Sequence, residues 1–356
     1  MSMHRAVAPP PLMRTVVLRA VVVVALLLPV VDVVLAQPPR GAAMEDQRLL
    51  PYAEPGQLVN VGGRRINLQC SGTGFPAVIL MAGIASWSAI WYKTQPVIAQ
   101  KTRVCGFDRA GYGFSDPGPR PQILSDVADD LHAALKAGCI PGPYVLVGHS
   151  LGGVEARLYA QRWPTEIVGM VLVDTSPADE GLLDEDQPDF DEVIGREHGI
   201  AHLLHCSLLA AHGPIEPSRP EYKDCSLGSP SDAPTAFRKV VQQFSTAYYF
   251  ADRVSLYFSL YTHRYDSVDH RRLGAMPLVV LSTENTWNTG TPAGVRCNRS
   301  YSRVWIAMHE ALAHLSSRGV HRMIKGSGHE IQLDKPQAVI DAVNEVLHQL
   351  HAGAES

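Results

Sequence analysis

The 356-residue sequence is poor in cysteine, in net charge and in repetition. Six cysteines in a chain this long are not a disulfide scaffold, and their meaning depends on the compartment. A formal net charge of −4 gives no reason to expect nucleic acid or an anionic membrane as a partner. No internal repeat or low-complexity segment is visible beyond the N-terminal stretch. What remains is an ordinary globular balance, 46% hydrophobic and 19% charged, with length enough for one large domain or two small ones.

The one long apolar run is at the N-terminus. Arg14 and Arg19 precede a 12-residue apolar stretch, Ala20 to Val31, too short to span a bilayer comfortably. Val34-Leu35-Ala36 suits cleavage before Gln37, and Asp32 is awkward in a membrane span. Residues 1–36 therefore read as a signal peptide, with an uncleaved N-terminal anchor as the alternative. Either way the body is exported, secreted or periplasmic, with no stable membrane span in the mature form, and its cysteines meet disulfide-permissive conditions. Residues 37–55, rich in proline, glycine and charge, read as a tether.

From Gln57 the pattern changes. Leu58–Val61, Gly62-Gly63 and Arg64–Gln69 predict a hairpin. Apolar strands follow at Pro76–Met81, Thr102–Phe107, Tyr144–Val147 and Val168–Val173, alternating with helical periodicity at Trp87–Ala99, Leu124–Ala137 and Val154–Trp163. Ser125 or a neighbour is a candidate cap for the second helix. Such alternation argues a mostly parallel sheet with helices on both faces. It breaks at residues 176–272, where helical stretches at Phe190–Ala210 and Pro234–Tyr261 flank a Pro/Gly/Ser-rich middle. It resumes with a strand at Pro277–Leu281, a helix at about Ser300–Ser317, a strand at Val320–Ile324 and a helix at Pro336–His351. The expected organisation is an α/β core, 56–175 and 273–351, with a helical cap inserted at 176–272.

Gly148-His149-Ser150-Leu151-Gly152 sits between a strand and a helix and matches G-x-S-x-G, the turn that lifts a nucleophilic serine above a sheet edge. Any Cβ at Gly148 or Gly152 would collide with a neighbouring element. Four more segments stand in order around it: Ala82-Gly83, Asp108-Arg109-Ala110-Gly111-Tyr112-Gly113-Phe114-Ser115, Leu172-Val173-Asp174-Thr175-Ser176-Pro177 and Gly326-Ser327-Gly328-His329-Glu330. With these features the sequence resembles an α/β-hydrolase-fold protein from Leu58 to about Leu350, a serine esterase or lipase-like member with a cap. It departs from many members in carrying Ala82 where they have histidine.

A serine hydroxyl needs a base within hydrogen-bond reach and a group to orient that base. The resemblance implies Ser150 as nucleophile and His329 as base, the histidine coming last in the chain. His149 is too close to Ser150 to act on it and reads as packing. In much of the family the acid follows the strand before the last. Here that loop, Ser282-Thr283-Glu284-Asn285-Thr286, lacks aspartate and offers only Glu284. Other members place the acid one strand earlier, which is Asp174; Asp174 is favoured and Glu284 is the alternative. Backbone N–H groups of Leu151 and Ile84 would form the oxyanion hole, each worth roughly 3 kcal/mol. Asp108 and Arg109 read as ties holding the glycine loop Gly111–Gly113 to the sheet.

No metal site is expected. His309 and His314 resemble H-E-x-x-H with one residue too many, so their rings point roughly 140° apart. His198, His202 and His205 share a helical face beside Cys206 and read as a cap surface. A Cys206–Cys225 bridge would close an 18-residue interior loop and stabilise the cap by about 3 kcal/mol. Cys70 and Cys105 fall on strands adjacent in the family's sheet order, so the resemblance allows a second bridge there.

The expected function is therefore hydrolysis of carboxylic esters through an acyl-enzyme on Ser150, without cofactor. The cap aromatics Phe244, Tyr248, Tyr249, Phe250, Tyr257, Phe258 and Tyr261 suggest an apolar small-molecule ester, although such spacing also suits plain core. C–C bond hydrolysis, amide hydrolysis, perhydrolysis and a non-catalytic ligand-binding role stay open. Haloalkane and epoxide chemistry are disfavoured, because those members carry aspartate where this chain has Ser150.

Overall fold

The computed structural model describes residues 45–176, 199–262, 272–288 and 290–354. The expected signal peptide or anchor (1–36), the start of the tether and parts of the expected cap, including His198, lie outside the described residues. Phe258 and Tyr261 lie on a described helix, but their side chains are likewise outside the description.

Among the described residues eight strands form one sheet: β1 (Gln57–Val61), β2 (Arg64–Ser71), β3 (Ala77–Met81), β4 (Val104–Phe107), β5 (Tyr144–His149), β6 (Ile167–Val173), β7 (Leu278–Ser282) and β8 (Gly319–Met323). Their order is β1-β2-β4-β3-β5-β6-β7-β8. β2 runs antiparallel to both β1 and β4, and β3 to β8 are mutually parallel. The β1–β2 turn uses Gly62 at φ 60° and Gly63 at φ 91°, which only glycine adopts freely.

The central strands are continuous apolar runs because both faces are covered. On β5, Leu146 joins a core containing Leu131 and Leu158 of α1 (Leu124–Ala137) and α2 (Leu151–Arg162). Val145 and Val147 face the other way, into a core containing Val343 and Val346 of the C-terminal helix Pro336–Ala354. A buried Leu or Val of this kind contributes about 1.5–3 kcal/mol.

Between β6 and β7 the described chain is helical: α3 (Ile200–Leu209), a one-turn helix Tyr222–Cys225, α4 (Thr235–Phe244) and α5 (Ala247–Thr262). α6 (Pro292–Ala313) follows β7, and Pro336–Ala354 is α7.

Several local expectations need correction. The later part of the tether is packed, not free. Gln47–Tyr52 is a 3₁₀ helix that buries Leu49 and Tyr52, three residues apart and so on one face, and the Tyr52 hydroxyl donates to Gln95 Oε1 at 2.8 Å. The helix expected over 87–99 is two short pieces, Ser88–Trp91 and Gln95–Ile98, because Pro96 is tolerated only in the first turn of a new helix. The stretch 234–261 breaks at Ser245, whose buried hydroxyl accepts from Leu227 N at 3.0 Å. α6 begins at Pro292 rather than Ser300, since Thr291 caps it by accepting from Gly294 N at 3.0 Å. At α1 the expected neighbour of Ser125 is Asp126, which closes the first turn by accepting from Ile123 N at 3.1 Å.

Candidate active site

Ser150 stands between β5 and α2 at φ 50°, ψ −123°, a conformation costing a non-glycine residue about 1–3 kcal/mol. Neighbours over-determine it. Its N–H donates to Val173 O at 3.1 Å, and its carbonyl accepts from Gly153 N at 3.0 Å, Ser176 N at 3.1 Å and Thr175 Oγ1 at 3.0 Å. A Cβ on Gly148 would lie 2.4 Å from Gly152 O, and one on Gly152 would lie 2.3 Å from Met81 O. Both glycines are there for room, as the spacing implies.

β5 and β6 are in register with His149 opposite Val173, so Ser150 and Asp174 leave the sheet side by side. Asp174, at φ 39°, is fully buried. Its Oδ2 lies 2.7 Å from His329 Nδ1 and accepts from Thr286 Oγ1 at 2.8 Å; its Oδ1 accepts from Trp305 Nε1 at 2.9 Å and Thr283 N at 3.3 Å. Burial alone would raise this carboxyl. The hydrogen bond and charge of His329, with His309 and the Trp305 indole, outweigh it and hold the pKa below the usual value. Glu284 is exposed, and its backbone carbonyl accepts from Asn298. The carboxylate that meets His329 is thus Asp174 and not Glu284.

His149 is buried with its ring centroid 4.6 Å from that of His329, and its Nε2 lies 3.1 Å from the His329 carbonyl oxygen. Burial pushes its pKa down to about 4, so it is a neutral strut between the elbow and the His329 loop.

Ile84 lies in the Gly83–Ser86 turn, and Leu151 opens α2. Asp108 does tie the glycine loop, accepting from Phe114 N at 3.3 Å as well as from Ser88 N and Asn67 Nδ2 at 2.8 Å. Arg109 also meets that loop, at Tyr112, but reaches beyond it. Its Nη1 donates to Gly83 O at 3.0 Å and its Nη2 to Ala82 O, while a fork of 2.7 Å bonds joins it to the buried Glu155 of α2. The two carbonyls preceding Ile84 are therefore clamped to the helix that starts at Leu151.

Trp305 and His309 on α6 and Thr286 were not singled out as site residues by the sequence reading. His309 Nε2 lies 2.7 Å from Thr175 O and its Nδ1 3.9 Å from Asp174 Oδ1, while His314 is exposed. The only advance signal was helical spacing: Trp305 and His309 are four apart, on one face. Cys70–Cys105 and Cys206–Cys225 are disulfides, the first joining residues paired across β2 and β4. Ligand atoms of His202, Cys206 and Cys225 cluster within 4.8 Å, but both sulfurs are committed to the bridge.

A mostly parallel sheet with a strained serine turn at its centre and an Asp–His pair at its carboxyl edge defines the α/β-hydrolase architecture. Residues 76–193 match the family described as alpha/beta hydrolase fold. A thermophilic esterase from Thermogutta terrifontis superposes with TM-score 0.56 and 20% identity, covering 84% of this chain and 99% of that one. The uncharacterized protein YqjL of Bacillus subtilis is 24% identical over 276 residues, 77% of this chain and 85% of that protein. The 2-hydroxymuconate semialdehyde hydrolase of Pseudomonas sp. (strain CF600) is 32% identical over 136 residues, 36% of this chain and 48% of that protein. Three further curated relatives are spanned over only 15%, 37% and 18% of their lengths. This chain has the α/β-hydrolase fold.

Proposed function

We propose that this protein is a serine hydrolase that cleaves carboxylic esters. Ser150 attacks the acyl carbon, His329 takes the hydroxyl proton and passes it to the leaving alcohol, and Asp174 holds His329 in the required tautomer. The N–H groups of Leu151 and Ile84 receive the oxyanion, and water then releases the acid. The reading rests above all on the 2.7 Å Asp174–His329 contact at the strand end beside Ser150. Its test is labelling by a fluorophosphonate probe followed by a panel of p-nitrophenyl esters of increasing length. Labelling and turnover that persist in Ser150→Ala would sink it. C–C bond hydrolysis is the second reading, favoured by similarity to the 2-hydroxymuconate semialdehyde hydrolase. Turnover of a vinylogous 1,5-diketone but of no ester would select it. The proposal places the enzyme outside the cytoplasm, in keeping with two disulfides.

A further inference from the structure

A cavity of about 760 Å³ opens between α3, the one-turn helix Tyr222–Cys225 and α5. Its floor includes Ala85, the residue after Ile84, about 3.8 Å away along the chain. The cavity thus begins one residue from a proposed oxyanion donor. Leu203 and Phe250 give it an apolar wall, and Arg253 of α5 lies in that wall, only 6% exposed.

Arg253 is held in place by tyrosines. Its Nη1 lies 3.4 Å from the Tyr249 hydroxyl, its guanidinium sits 5.4 Å from the Tyr249 ring centroid, and it shares a side-chain hydrogen bond with Tyr257. Tyr249 in turn donates to Ala85 O at 3.0 Å, joining the cation to the cavity floor. The neighbouring Asp252 is turned to Arg120, at 3.2 Å. Lys223 and Asp224 are both exposed at the cavity and oppose each other in sign, and His202 is bonded to the Asp224 backbone carbonyl at 2.9 Å. Among the described residues that line this space, the buried charge is that of Arg253.

We infer that this cavity receives an ionised carboxylate carried by the substrate, with Arg253 as its specificity-determining residue. The guanidinium fork matches a carboxylate, and the burial of Arg253 strengthens the attraction relative to a solvated pair. This deepens the ester-hydrolase reading and rests on it: the substrate is an ester bearing a second, anionic carboxyl, as in a hemiester of a dicarboxylic acid, rather than a wholly apolar one.

The experiment compares kcat/KM for p-nitrophenyl hemiglutarate with that for the neutral p-nitrophenyl valerate. The wild-type ratio favours the hemiester, and Arg253→Gln lowers that ratio by about 10- to 100-fold, the range of a charge-assisted hydrogen bond. Arg253→Lys retains part of it. Calorimetry of wild-type protein with glutarate and with glutaramide needs neither a variant nor turnover, and binding of glutarate alone is expected. A wild-type preference for valerate, a ratio unmoved in Arg253→Gln, or equal binding of glutarate and glutaramide would each overturn the inference. Failure of Ser150 to label would remove the ester-hydrolase reading while leaving the calorimetric comparison decisive for the cavity.

Discussion

Asp174→Asn is the most informative perturbation, because the structure dictates how the amide must sit. Trp305 Nε1 at 2.9 Å and Thr283 N at 3.3 Å are both pure donors aimed at Oδ1. That position must keep an oxygen, or two buried donors lose their acceptor at about 1–3 kcal/mol each. The new NH₂ is therefore directed to the Oδ2 position, 2.7 Å from His329 Nδ1. Two donors cannot face one another there, so His329 moves its proton to Nε2 and can no longer take one from Ser150. The analogous substitution in a Ser-His-Asp protease lowers kcat by about 10⁴-fold, and a loss of that order is expected here with the fold intact. Steady-state ester hydrolysis, with circular dichroism as the fold control, measures it. Glu284→Gln should leave kcat unchanged, since that side chain is exposed. A loss below tenfold in Asp174→Asn, or an equal loss in Glu284→Gln, would refute the tautomer argument.

Four further perturbations probe other parts of the structure. Arg109→Lys replaces a fork with a point donor and frees the Ala82 and Gly83 carbonyls, so kcat should fall by about 10²-fold, more than KM changes. Glu155→Gln, which strips the charge partner from buried Arg109, should also destabilise the protein by about 3–5 kcal/mol in urea unfolding. Asp252 is buried with a pKa pushed up to about 6 from 3.8 by desolvation, against the pull of Arg120. A raised carboxyl contributes stability that is full below about 4 and lost as pH climbs through about 6, so Asp252→Asn should be more stable than wild type by about 1–3 kcal/mol at pH 8 and equal to it near pH 4. A pH-independent difference would contradict this. Replacing Cys206 and Cys225 together by alanine should cost about 3 kcal/mol and raise proteolytic cleavage between α3 and α4, with the sheet core retained.

Local patterns carried most of the architecture. Apolar runs such as Tyr144–Val147 announce strands buried on both faces, and Gly148 and Gly152 announce the cramped turn, because these demands act over a few residues. Chain order was enough to point to His329, and it brought the acid down to two candidates. Choosing between them was beyond it. Asp174 and Glu284 both follow strands that end at the same sheet edge, and only packing decides that one is enclosed by Trp305, Thr283 and Thr286 while the other faces solvent. The same holds for Arg109. Its place after β4 suggested a tie to the nearby glycine loop, which its contacts with Tyr112 supply, but a side chain that long also reaches across the sheet to Ala82, Gly83 and Glu155. Sequence spacing determines what a segment is, whereas the meeting of residues 109 with 155, or 174 with 305, is decided by which helices and strands close upon each other.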